Sequence, residues 1–282
     1  MSAIIDNNSG FIVFGFQNMS QTAVQIEEPV LLRKDNGSIC TLTLNRPSKF
    51  NAMSEELLEQ LFSELGIIAE QKSVRVVILA ANGRAFCSGH DLKKLGTDHS
   101  ETYYQEVFDK SVQLMMAIQT LPQPVIAMVQ GMATAAGCQL VATCDLAVAA
   151  DDVQFAVSGI NLGLFCSTPS VALSRKVNRK IALEMLLTGD FIDAPTALAN
   201  GLINHSVAIE NLESITLELA AKIAAKPPES IRLGKKLFYS QIEKSTYSAY
   251  QEARDTMANN MLFPNTKEGI NAFIQKRPPN WD

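Results

Sequence analysis

Two segments carry residue types from which a reaction site could be built. They are Arg84-Ala85-Phe86-Cys87-Ser88-Gly89-His90-Asp91-Leu92 and Gln130-Gly131-Met132-Ala133-Thr134-Ala135-Ala136-Gly137-Cys138-Gln139-Leu140. Each follows an apolar run, residues 74–80 and 125–129, of the kind that forms a buried strand. Each is rich in small residues, which let a ligand come close to the main chain. Side by side, two such strand ends could point two peptide N–H groups at one oxygen. That arrangement stabilises an oxyanion such as a thioester enolate. Other reactive types are scattered. His90, His99 and His205 share no metal-ligand spacing with one another or with the cysteines. The five cysteines (Cys40, Cys87, Cys138, Cys144, Cys166) are odd in number and include no C-x-x-C pair. No metal site and no disulfide framework is expected, and a reducing compartment is.

The elements that must hold these segments follow from hydrophobic period and from chain breakers. Residues 38–44 alternate apolar and polar side chains, a strand that Asn45-Arg46-Pro47 ends. Ser54 with Glu55 and Glu56 opens a helix in which Leu58, Leu61, Phe62, Leu65 and Ile68 recur at helical spacing. Strands are expected over 74–80, 125–129 and 145–150, a helix over 101–120, and another helix from Ala136. Thr168-Pro169 reads as an N-cap followed by proline at the first helical position. Beyond it, helices are expected over 179–187, 194–199, 212–225, 229–242, 249–262 and 267–275. Strands and helices alternate early and helices dominate late, so the fold class is α/β, with a core over 27–210 and a helical region over 211–282.

Residues 1–26 read as an N-terminal tail. Lys and Arg are absent there, so neither a signal peptide nor a transit peptide is recognisable, which in a bacterium would mean a cytoplasmic protein. The apolar patch at 11–16 is too short to span a bilayer, and no membrane partner is expected. At 282 residues, 47% hydrophobic and 19% charged, the chain can bury a large core. A net charge of −5 without a basic cluster argues against nucleic acid as a partner. Arg232, Lys235 and Lys236 read as a solvated helix face.

From about Glu27 onward the chain resembles the crotonase superfamily, the enoyl-CoA hydratases and isomerases. The likeness is carried by Asn45-Arg46-Pro47 with Asn51-Ala52, by Ser88-Gly89-His90-Asp91-Leu92, and by residues 131–140. Cys144-Asp145, Thr188-Gly189-Asp190, Ala197, Gly201-Leu202, Glu268-Gly269 and Phe273-Ile274-Gln275-Lys276-Arg277 extend it to the C-terminus. The resemblance implies a crotonase-like spiral of ββα turns with a C-terminal helical trimerisation region, assembling as a homotrimer or hexamer. It implies an acyl-CoA substrate, with coenzyme A as part of that substrate and no separate cofactor. The thioester carbonyl would lie between the N–H groups of His90 and Ala136, the latter standing where the family usually has glycine. Lys49 would meet CoA phosphate, and Ser88, Gly89, His90, Asp91, Leu92 and Lys93 would surround the adenine. Phe273 and Lys276 would contact CoA from the same or a neighbouring subunit. Ala52, Met132, Cys166 and Ser167 complete the implied binding set. The plain alternative for Lys49, Lys93 and Lys276 is solvated surface lysine.

What the resemblance leaves unfilled is the acid–base pair. The two glutamates that hydratases use fall at Gln139 and Gly159, and a further acid position of isomerases falls at Ser167. A glutamine amide orients water but does not accept its proton, and glycine offers nothing. Such groups contribute about 10²–10⁴-fold each, so efficient hydration is not expected. Three functions stay open: decarboxylation of a malonyl-type thioester, binding of acyl-CoA without catalysis, and slow hydration. In the last case Gln139→Glu with Gly159→Glu should raise the rate, unless the pocket has changed shape. Cys138 and Cys166 read as packing, Ser158, Asn161 and Ser167 as loop caps or acyl contacts, and Asp91 and Asp145 as loop and turn residues.

Overall fold

The computed structural model describes residues 28–281, so the tail expected over 1–26 lies outside the described residues. A hairpin of β1 (Leu31–Asn36) and β2 (Ile39–Leu44) leads to α1 (Glu55–Glu70), and three ββα turns follow. The first is β3 (Val76–Ala81), β4 (Ala85–Cys87), the short α2 (Leu92–Leu95) and α3 (Glu101–Thr120). The second is β5 (Val125–Val129), β6 (Met132–Thr134) and α4 (Ala136–Thr143). The third is β7 (Leu146–Ala150), β8 (Gln154–Ala156), a 3-10 turn Ser158–Leu162 and α5 (Ser167–Lys176). Then come α6 (Arg179–Thr188), β9 (Ile192–Asp193), α7 (Ala194–Ala199), β10 (His205–Val207) and α8 (Leu212–Ala224). The chain ends in α9 (Pro228–Gln241), α10 (Thr246–Asn260) and α11 (Pro264–Ile274).

The first strand of each turn joins a six-stranded sheet, order β1-β2-β3-β5-β7-β10, and the second joins a four-stranded sheet, order β4-β6-β8-β9. From β2 to β10 the large sheet is parallel, and β1 alone runs against it. A chain that alternates between two sheets at every turn winds a spiral. Continuous apolar runs make this possible, since β3 and β5 are buried along nearly their whole length, as parallel strands must be.

Helix ends follow their local chemistry. Ser54 caps α1 by accepting the Leu57 N–H at 3.3 Å, and Leu57, Leu58, Leu61, Leu65 and Ile68 face the core. Phe62 departs from that expected face and is exposed. α5 begins two residues earlier than Thr168-Pro169 suggests. Its N-cap is Cys166, whose carbonyl accepts the Ser170 N–H at 2.9 Å, and Pro169 sits within the first turn, where a missing N–H costs nothing.

α8 buries Leu212, Thr216, Ala220 and Ala224 against β3, β5 and β7, so the helices that stand outside the core begin at α9. In α9 and α10 no residue is buried, and in α11 only Asn265 and Ala272 are. No helix of the described residues is long and apolar enough to cross a membrane.

Candidate active site

The ends of β4 and β6 meet backbone to backbone. Met53 donates its N–H to the Gly89 carbonyl at 2.8 Å and accepts from the Asp91 N–H at 3.0 Å. His90 lies between those two bonds, and its own N–H faces the other way. Gly89, at φ +95°, is there for the approach: a Cβ at that position would stand 2.9 Å from the Ala135 Cβ and 3.4 Å from the Ala136 nitrogen. Ala135 adopts φ 49° and ψ −120°, a conformation that disfavours any side chain, and this sharp turn starts α4 at Ala136. As the first residue of a helix, Ala136 has no acceptor for its N–H within that helix. Among the described residues, neither the His90 nor the Ala136 N–H donates to another backbone carbonyl. Two unpaired donors thus stand side by side, one of them at the positive end of α4.

The loop that carries His90 is clamped by residues whose importance is not evident from their types alone. Arg46 pairs with Asp91 at 2.9 Å and also donates to the Ala52 carbonyl. Asn51, fully buried at φ 53°, accepts the Arg46 N–H and donates to the Asn82 and Ala85 carbonyls, each at 2.8 Å. Partial burial works against the Asp91 carboxylate, but the Arg46 guanidinium outweighs it and holds the group below the usual carboxylate range.

The side chains of His90 and Gln139 carry no charge. The His90 imidazole lies edge-on to Phe108 of α3 with ring centroids 5.4 Å apart, and both ring nitrogens are buried without a protein partner. Burial lowers its pKa, so the ring is neutral at physiological pH. The Gln139 Oε1 is likewise buried and accepts no hydrogen bond from the protein. Buried polar atoms are rarely left unpaired, so these three are fitted for a ligand or solvent.

Position 159 is closed. A Cβ there would lie 2.6 Å from the Leu164 carbonyl oxygen and 2.8 Å from the Cys166 sulfur. The expectation that Gly159→Glu could restore an acid is therefore corrected: the space a side chain needs is filled by main chain and by a thiol. Ser167 is exposed, and its hydroxyl donates to the Phe165 carbonyl at 3.3 Å. Burial pushes the Cys138 thiol up to about 12 and raises that of Cys166, so both are packing groups and not nucleophiles.

The remaining expected contacts divide in two. Ser88, Ala52 and Met132 border the donor pair on the clamped loop and β6, with the Ser88 carbonyl accepting from Thr134 Oγ1 at 3.1 Å. Lys49, on a 3-10 turn, and Leu92 and Lys93, on α2, are exposed. Phe273, 85% exposed, and Lys276 project from α11 and its end into solvent.

The residue pattern of the enoyl-CoA hydratase/isomerase family matches residues 34–282. The chain belongs to the enoyl-CoA hydratase/isomerase family. It is 47% identical to mouse mitochondrial enoyl-CoA hydratase domain-containing protein 3 over 249 residues, 88% of this chain and 83% of that protein. The crystal structure of an enoyl-CoA hydratase from Mycobacterium smegmatis matches with a TM-score of 0.89 at 55% identity, covering 90% of this chain and 99% of that one. Human enoyl-CoA hydratase domain-containing protein 3 gives 0.87 at 44% identity, covering 89% and 100%. The crotonase spiral expected from the resemblance is therefore the fold of this chain.

In this family member a cleft of about 1700 Å³ opens beside Gln139, walled by α3, α4, α5 and α9. Its floor is a buried ionic cluster. Lys235 Nζ donates to Asp145 Oδ2 at 2.6 Å and to the Ile118 and Gln123 carbonyls at 2.9 and 3.0 Å, while the Tyr239 hydroxyl donates to Asp145 Oδ1 at 2.9 Å. Lys235 is thus no part of a solvated face; its side chain is 7% exposed. Its three acceptors come from other parts of the chain, which is why helix periodicity gives no sign of them.

Proposed function

We propose that this protein binds an acyl-CoA thioester with its carbonyl oxygen between the N–H groups of His90 and Ala136, and stabilises the enolate formed there. The observation that carries this reading is the adjacency of two unpaired backbone donors, one opening a helix, at a spot where Gly89 has no room for a side chain. Hydration is not its reaction. Adding water across a double bond needs a group to take a proton from that water, and the two positions that would supply it are an amide, Gln139, and a walled-in glycine, Gly159.

Decarboxylation of a malonyl-type thioester suits the site better. The bond from the α-carbon to the carboxylate breaks, and its electron pair passes into the enolate. The two N–H groups hold the enolate oxygen, CO₂ departs, and the α-carbon takes a proton from water. No carboxylate base is required, and the neutral surroundings of His90 and Gln139 favour loss of charge from the α-carboxylate.

Incubating the protein with enoyl-, malonyl-, methylmalonyl- and 3-hydroxyacyl-CoA, with products read by mass spectrometry, tests this directly. Turnover confined to the malonyl types is expected. Rapid conversion of enoyl-CoA would overturn the assignment, and tight binding with no turnover would leave a non-catalytic acyl-CoA carrier. Ala136→Pro removes one donor and, in protein whose circular dichroism matches the unaltered chain, should lower turnover by about 10²–10³-fold.

Assembly into a homotrimer, or a hexamer of two trimers, belongs to the same proposal. It is supported by the apolar side chains that α10 and α11 leave in solvent, among them Tyr247, Tyr250, Met257, Phe273 and Ile274. Sedimentation equilibrium should give a mass of three or six chains; a monomer would refute the assembly.

A further inference from the structure

We infer that the acyl group this protein accepts ends in a carboxylate, received by the Lys176 ammonium at the far end of the cleft. The inference rests on the acyl-CoA reading above but not on the reaction assigned to it.

Three of the four wall helices, α3, α4 and α5, run the same way. α3 passes the donor pair at Phe108, which touches His90, and reaches the ionic cluster at Ile118. α4 starts at the donor Ala136 and ends beside Cys144 and Asp145. α5 follows its N-cap Cys166, which is close to Gly159 and Cys138, and ends at Lys176, whose charge is felt at Cys144. The eight residues of α4, rising about 1.5 Å each, set the span from the thioester end to the Lys176 end at roughly 12 Å. Met115, Val171 and Leu233 make the intervening wall apolar, which suits a medium-length alkyl chain.

The far end does not suit an alkyl terminus. Lys176 is half-buried, and its Nζ lies 4.9 Å from the Tyr239 ring centroid, with a single hydrogen bond, 3.4 Å to the Tyr239 hydroxyl. It forms no ion pair with any carboxylate of the described residues. The nearby Asp145 is already engaged, one oxygen by Lys235 and Val125, the other by Tyr239. Burial lowers the pKa of the Lys176 ammonium. Arg179 and Arg232 also line the cleft without an ion pair among the described residues, whereas Arg175 has Glu243. A surplus of positive charge is thus gathered in one apolar cleft of a chain whose net charge is −5. A methyl-ended chain would strip more water from that ammonium and return nothing. A carboxylate would pair with it.

Calorimetric titration of the full-length protein with octanoyl-CoA and with suberyl-CoA, its counterpart carrying an ω-carboxyl group, decides the matter. Suberyl-CoA should bind about tenfold more tightly, the effect of one charge-assisted hydrogen bond. Lys176→Gln should abolish the preference and Lys176→Arg should keep it, with octanoyl-CoA binding as the check that each variant is folded. The ω-methyl ester of suberyl-CoA, titrated into the unaltered protein, needs no variant and should bind like octanoyl-CoA. Equal affinities in the unaltered protein, or a preference that survives Lys176→Gln, overturn the inference while leaving acyl-CoA binding intact. Failure of every thioester to bind removes the acyl-CoA reading itself.

Discussion

A methyl group at position 159 would overlap the Leu164 carbonyl and the Cys166 sulfur, so Gly159→Ala forces main chain to move. Overpacking of this kind costs about 1–3 kcal/mol. Urea unfolding should show at least that loss for Gly159→Ala and more for Gly159→Glu, with no hydratase activity gained in either. His90 offers a second test. Its folded pKa is depressed by burial below the ordinary 6.5, so on acidification the unfolded chain takes up a proton before the folded one does. Stability should therefore fall as pH drops below about 6.5, until the folded pKa is reached. Thermal unfolding of His90→Phe should lose that slope, because the phenyl ring keeps the contact with Phe108 and has nothing to titrate.

At the scale of elements, the donor pair is only as well placed as the loop that carries one half of it. Asn51 satisfies three backbone groups of its surroundings, and Asn51→Ala leaves them unpaired at a cost of about 1–3 kcal/mol. The same change should weaken acyl-CoA binding, since the main chain around 82–85 leads straight into the loop of His90. The Arg46–Asp91 pair adds a pH dependence of its own. With the Asp91 pKa depressed below 3.8, its contribution is complete above that value and is lost as pH falls through the folded pKa. Asp91→Asn should flatten this acid limb of the stability profile while leaving the His90 slope in place.

For the whole molecule, the deciding contact is the one that fastens α9 to the spiral. Lys235 and Asp145 are 90 residues apart in sequence and nearly dry, with side chains 7% and 13% exposed. Breaking such a pair from one side strands the other charge, so Lys235→Met should cost about 3–5 kcal/mol. Tyr239→Phe, which deletes one hydrogen bond to the same carboxylate, should cost about 2 kcal/mol. Denaturant unfolding measures both.

The strand over 125–129 and the helices over 101–120 and 194–199 are legible to the residue, because apolar period and flanking prolines, caps and small residues act locally. So are the two small-residue segments, which are matters of residue type, while the missing glutamates are legible only against the family that the chain resembles. Other features were decided by distant parts of the chain. Whether Gly159 has room depends on a carbonyl five residues on that folds back over it. The Lys235 side chain is nearly dry because Asp145 and the end of α3 come to it, and Lys176 is left without an ion pair because that same carboxylate is spent. Residue type and periodicity determine what each segment can form and which groups it brings. The packing of segments far apart in sequence determines which of those groups are paired, which are dry, and which are left facing a ligand.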